Sequence, residues 1–195
     1  MDGLWKVIDG DCYTREDFHS NFKMDNNLAV CPYCDSDTIY NISNMEIEHF
    51  WPESKYPYLA INPLNLYSSC QSCNRPAEGK GIKVYNPIVM PFYKEIGRDI
   101  HFVPKPKTKS IDVKVKNIAT DNYIKMLNLE KRYSKKGVYN IFETLSAAIY
   151  TTINDAKSKG VSVDSDDVKK YVEQSVKPKI QPLHFAVSDI FKDYK

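Results

Sequence analysis

The chain carries almost no net charge. Its 27 Lys and Arg against 25 Asp and Glu leave +2 over 195 residues, so overall charge does not mark a nucleic-acid binder, and any such case must rest on local clusters. A leader pattern is missing too: MDGLWKVIDGDCY has no basic start followed by an apolar run, which argues against a secretory signal. No apolar stretch approaches the roughly 18–20 residues that a membrane span needs. Internal repeats and low-complexity segments are absent. These absences point to a cytoplasmic protein with no membrane partner. In a reducing compartment, paired cysteines are more often metal ligands than disulfides.

What is present suits one substantial domain or two small lobes on a shared core: 42% hydrophobic and 27% charged residues, an ordinary globular composition. Residues 1–30 read as a polar lead-in with one short helix near Arg15–Phe22, and Cys12 as a packed or merely reduced thiol. Residues 31–98 form the expected core. Up to residue 87 they are rich in Pro, Asn, Ser and Cys, which predicts loops and short strands braced by something other than a large apolar interior. Met45–Phe50 alternates apolar and polar side chains and reads as a strand, and Asn65–Cys70 as a second. Between them Pro52, Pro57 and Pro63 work against regular structure. In residues 99–195, Ile100–Val103 and Ile111–Val115 read as a hairpin. Ile141, Leu145, Ile149 and Ile153 give one apolar face to a long helix that Gly160 closes. Asp164–Val176 suits another helix, with Val168, Val172 and Val176 on one face, and a short helix near Leu183–Phe191 follows Pro178 and Pro182. The fold class is α+β, with a helical C-terminal lobe.

Cys31-Pro32-Tyr33-Cys34 and Cys70-Gln71-Ser72-Cys73 are two CxxC units. A CxxC turn points two sulfurs at one ion, and zinc takes four tetrahedral ligands. Two disulfides fit a cytoplasmic chain poorly, and a redox dithiol needs one such unit in a βαβ setting that is missing here. The expected group is therefore a structural Zn²⁺ on Cys31, Cys34, Cys70 and Cys73, since four thiolates leave no open position for water.

Bracketed by these pairs lie Glu48-His49 and Asn65, with Asn74 directly after the last cysteine. Each alone is weak: a lone His is more often structural, and a loop Asn usually makes a turn. Together, IEHFWPESKYPYLAINPLNLYSSCQSCNRPAEGKG resembles the HNH (ββα-metal) endonuclease motif: an acid and His ending one strand, Asn-Leu opening the next, then C-x-x-C-N, a short helix, and Lys-Gly, matched here by Lys80-Gly81. With the first CxxC the likeness covers residues 31 to about 87. It departs from the family in having Glu48 where Asp is common, and in a Lys80 farther from the cysteines than usual, which suggests that the helix starts late, after Pro76. EHF-x-P-x-SKYP, together with Leu127-Asn128-Leu129-Glu130 and Arg132, is similar to the HNH subunit of the Septu anti-phage system.

The HNH resemblance implies a ββα-metal core and metal-dependent hydrolysis of phosphodiesters, most plausibly in double-stranded DNA by nicking or cleavage. His49 would be the general base, with Asn65 orienting its ring by accepting from the other N–H. Glu48 and Asn74 would hold a catalytic Mg²⁺ or Mn²⁺ through hard oxygen donors. The Septu resemblance implies anti-phage defence and an ATPase partner subunit.

Candidate nucleic-acid contacts are Lys80, Lys83, Lys105, Lys107 and Lys109. The stretch HFVPKPKTKSIDVKVK carries five Lys and one Asp, which suits a phosphate-contacting arm or, equally, a solvated hairpin face. Lys131, Arg132, Lys135 and Lys136 cluster where basic residues also suit a helix dipole. Trp51 and Tyr56 can stack on bases or pack within their loop. The rival function is a zinc-stabilised nucleic-acid- or protein-binding module without catalysis; such a module has no use for an acid-His-Asn-Asn set.

Overall fold

Thr14 opens the first helix, α1 (Arg15–Asn26), through a reciprocal capping box with Asp17, and Asn27 ends it in the left-handed region. The computed structural model describes residues 13–194; Cys12 and the first part of the lead-in lie outside the described residues. The helix is four residues longer at its C-terminus than the apolar spacing predicted.

Met45–His49 is strand β1 and Leu66–Cys70 strand β2, paired antiparallel with Glu48 opposite Tyr67 and His49 opposite Leu66. The connecting loop is not shapeless. Pro57 and Pro63 each start a single 3-10 turn, Pro57–Leu59 and Pro63–Asn65, because a first helical position does not need the N–H that proline lacks. Helix α2 (Gln71–Asn74) follows β2 directly. The expected late start is thus overturned: α2 ends before Pro76, and the chain turns back there, Lys80 N–H donating to the Cys73 carbonyl at 2.8 Å. That return requires Gly79, where an added Cβ would lie 2.1 Å from the Cys73 carbonyl oxygen, and Gly81, whose φ is +52°.

A second antiparallel hairpin, β3 (Ile100–Lys105) and β4 (Ser110–Val115), has the expected position and longer arms. It leads into α3 (Ile118–Leu127) and α4 (Leu129–Tyr133), separated by a left-handed Asn128. Then come α5 (Lys136–Ser158), α6 (Ser165–Ser175), capped by Asp164 and Asp167, and α7 (His184–Phe191). The architecture is therefore α+β, with two small two-stranded sheets among the described residues.

On α5 the expected face needs correction. Ile149 and Ile153 are buried, but Ile141 is 42% exposed and Leu145 only partly buried, while Val138, Tyr139, Phe142 and Ser146 complete the inward stripe. A strict spacing of four drifts around a helix of 3.6 residues per turn, so the buried stripe mixes steps of three and four. In α6, Val168, Val172 and Val176 are all buried as the spacing predicted. A single apolar cluster runs from the cysteines and Tyr33 through Phe102 and Tyr133 to Val187 and Phe191.

Candidate metal centre and candidate active site

The four cysteines Cys31, Cys34, Cys70 and Cys73 are buried and unpaired, and their sulfurs all lie within 4.8 Å of one another. Zinc–thiolate bonds near 2.3 Å imply sulfurs about 3.8 Å apart on a tetrahedron, and Cys34 Sγ and Cys70 Sγ are 3.9 Å apart. The quartet could hold a zinc ion. Its surroundings suit the negative charge that four thiolates leave on such an ion. Ser36 Oγ donates to Cys34 at 3.2 Å, Cys70 N–H to Cys31 at 3.3 Å, and Arg132 Nη2 approaches Cys73 Sγ at 3.9 Å. Arg132 also forms an ion pair with Asp37 at 2.6 Å. The basic cluster around residues 131–136 thus loses its strongest cation to the interior, where Arg132 is 4% exposed. Asp35 reaches the other way: its carboxylate accepts from Phe185 N–H at 3.0 Å, capping α7. Burial raises the Asp35 carboxyl well above the usual range. Sequence reasoning missed both connections. The one available signal was Arg132's place in the Leu127–Arg132 motif.

At the far end of the same hairpin, Glu48 and His49 are adjacent in sequence yet held by different segments, because successive strand residues leave opposite faces. His49 is buried, and its Nε2 donates to the Ala60 carbonyl at 2.9 Å. Asn65 makes no hydrogen bond to the ring, contrary to the expected role. Its amide clamps the loop instead: Oδ1 accepts from Trp51 N–H at 2.7 Å, and Nδ2 donates to the Trp51 and Leu59 carbonyls at 3.0 and 3.1 Å. Asn65 therefore acts on His49 only through the loop that presents Ala60.

Glu48 Oε1 forms an ion pair with Lys80 Nζ, and both side chains are buried. Burial, partly offset by the ammonium, pushes the Glu48 carboxyl up to about 7, and burial lowers Lys80. Lys80 also donates to the Gly81 carbonyl at 3.1 Å. It is 1% exposed, so the expectation that it contacts nucleic acid is overturned. Two of the three ammonium donors are engaged inside the protein, on Glu48 and on the Gly81 carbonyl. Glu48 Oε2 and the side-chain amide of half-buried Asn74 have no hydrogen-bond partner among the described residues. Both are hard oxygen donors, chemically suited to a Mg²⁺ or Mn²⁺ that keeps most of its waters.

The remaining lysines divide. Lys83 donates to the Gly79 carbonyl at 2.8 Å. Lys109 pairs with Glu143 at 2.7 Å and lies over the Tyr139 ring, tying the β3–β4 turn to α5. Lys105 lies 3.4 Å from Asp112, and Lys107 is exposed. Trp51 and Tyr56 pack edge-to-face with ring centroids 5.5 Å apart inside the 50–65 loop. No described helix is long and apolar enough to cross a membrane.

No family model matches the chain, and no solved structure matches it. Over 52 residues the chain is 42% identical to Septu protein PtuB of Bacillus thuringiensis, covering 27% of this chain and 20% of that protein. Over 72 residues it is 33% identical to Protein ea31 of Escherichia phage lambda, covering 37% of this chain and 23% of the relative. The matched stretches thus span about a fifth to a quarter of these relatives. What they support is a partial link to a Septu protein.

Proposed function

We propose that this protein is a metal-dependent endonuclease of the HNH type, hydrolysing phosphodiester bonds in double-stranded DNA as part of a Septu-related anti-phage system with an ATPase partner subunit. The observation that carries the reading is the state of His49. A carbonyl acceptor fixes Nε2 as the protonated nitrogen, and Nδ1 has no partner among the described residues. A neutral imidazole held in that tautomer has a lone pair at Nδ1 that can take a proton from water near neutral pH. It ends the first of two strands, and a short helix follows the second, a ββα order like that of the HNH motif, although this helix lies on the C-x-x-C-N itself and not after it. The partial likeness to Septu protein PtuB supports the defence role.

Each residue then has a task. His49 Nδ1 takes the proton of the attacking water. Ala60 holds the ring, and Asn65 holds the loop that carries Ala60. Glu48 Oε2 and the Asn74 amide oxygen would hold the divalent ion, which when bound neutralises charge on the scissile phosphate and the departing 3′ oxygen. Zinc on the four cysteines would tie β2 and α2 to the 31–34 turn, which would give a loop-rich site its rigidity. Lys105 and Lys107 remain as phosphate contacts on the β3–β4 hairpin.

The test is nicking of supercoiled plasmid with Mg²⁺ or Mn²⁺, wild type against His49→Ala. The variant should cut at least about 100-fold more slowly, with folding and zinc content unchanged. If it cuts as fast as wild type, a zinc-stabilised binding module becomes the better account.

A further inference from the structure

The Glu48–Lys80 pair does more than fill a buried space. Lys80 has little freedom to leave: its N–H is bonded to the Cys73 carbonyl, and the neighbouring Gly81 N–H to the Asn74 carbonyl at 3.1 Å. Gly79 is pressed against the Cys73 backbone. The lysine is therefore anchored to the same turn that carries Asn74, and its ammonium reaches back to Glu48 on β1 with side-chain exposure of 1% against 6%. Glu48 with Lys80 sums to zero charge, and Asn74 adds none. A divalent ion taken up on Glu48 Oε2 would meet a fixed ammonium on the other oxygen of the same carboxylate, in a setting with little water to screen the repulsion. A phosphodiester brought beside them supplies the missing negative charge and reverses the balance.

Resting on the reading that Glu48 holds the catalytic ion, we propose that Lys80 is a resident counter-ion that keeps the divalent site weak until substrate phosphate arrives. Metal binding and nucleic-acid binding are then coupled positively, and by linkage the coupling is reciprocal. Lys80 is a positioning residue in this scheme and touches neither substrate nor scissile bond. The turn after α2 aims the lysine, and the lysine sets when the divalent ion loads.

The test titrates Mn²⁺ into the zinc-loaded full chain without nucleic acid, read by electron paramagnetic resonance. Lys80→Met should bind one Mn²⁺ about tenfold or more tighter than wild type, because the repulsion between nearby like charges is gone. Lys80→Gln, whose amide can still donate to Glu48 and to the Gly81 carbonyl, guards against a folding failure and should shift in the same direction. Adding Glu48→Gln to Lys80→Met should abolish that site. In a His49→Ala background, a DNA duplex should tighten Mn²⁺ strongly when Lys80 is present and much less when it is Met. Unchanged or weaker Mn²⁺ binding in both Lys80 variants, including no binding in any of them, overturns the proposal. None of these readouts needs cleavage, so a failure of His49 as the base and a failure of Lys80 as the counter-ion are seen separately.

Discussion

The two ends of the β1–β2 hairpin are built on opposite plans. At the cysteine end four side chains of one chemical type converge, all 4% exposed or less. Their neighbours Ser36, Arg132 and the Cys70 N–H all donate toward sulfur. At the Glu48–His49 end the side chains of Glu48, His49 and Asn65 do not bond to one another. His49 is held by a backbone carbonyl, Asn65 by backbone groups, and Glu48 by a lysine. The first end is closed and saturated; the second leaves Nδ1 of His49 and Oε2 of Glu48 without a hydrogen-bond partner among the described residues. A structural metal site gains by satisfying every donor, whereas a reactive site must leave some unsatisfied. Under the proposed function one hairpin would serve both, its two ends separated by the length of β1.

If that contrast is right, the largest effect should come from the closed end. Cys73→Ser should lose the bound zinc and with it the cooperative fold, since binding of a structural zinc contributes roughly 10–16 kcal/mol that is itself folding free energy. Elemental analysis should find about one zinc per wild-type chain, and circular dichroism of the variant should show no cooperative melt. A well-folded, zinc-free wild-type chain would break the comparison at its root.

Arg132→Met should come next. It strands Asp37 and removes the cation that approaches Cys73, and because Asp37 is partly exposed the loss should fall near the lower end for a broken buried pair, about 3 kcal/mol. Chemical denaturation would measure it, with faster zinc loss to a chelator as the second readout. A midpoint unchanged from wild type would show that the centre does not depend on the helical lobe.

The smallest effect should be at the open end. Asn65→Ala removes three hydrogen bonds from the 50–65 loop and should cost about 1–3 kcal/mol. Zinc content should stay intact, and any nuclease activity should fall, because Ala60 would no longer be held against His49. Intact activity in a destabilised Asn65→Ala chain would separate the loop from the imidazole and sharpen the assignment of His49 to Ala60 alone.

Much of the frame is legible in the sequence. CxxC spacing is a local geometric instruction, so the metal quartet could be read directly from Cys31, Cys34, Cys70 and Cys73. Strand alternation and valine spacing were enough for β1, for the β3–β4 hairpin and for α6, because those periods are properties of the backbone itself. On α5 a strict step of four over-reached, since the helical period is not an integer. The misreadings at the site share one cause. Lys80 looked like a surface cation and Arg132 like part of a basic patch, because sequence shows a charge but not its partner. Asn65 was expected on the imidazole, because sequence does not reveal that a backbone carbonyl already occupies that place.

By itself, then, the sequence determined the two strand pairs, the helical C-terminal part and the four-sulfur set, all of which follow from local spacing and side-chain type. Only the tertiary structure decided which of the candidate residues are spent and which remain free. Lys80 on Glu48, Arg132 on Asp37 and Cys73, Asp35 on α7 and Ala60 on His49 are contacts between segments 11 to 150 positions apart. Pairings at such separations arise from the folded path of the whole chain, and no local pattern encodes them.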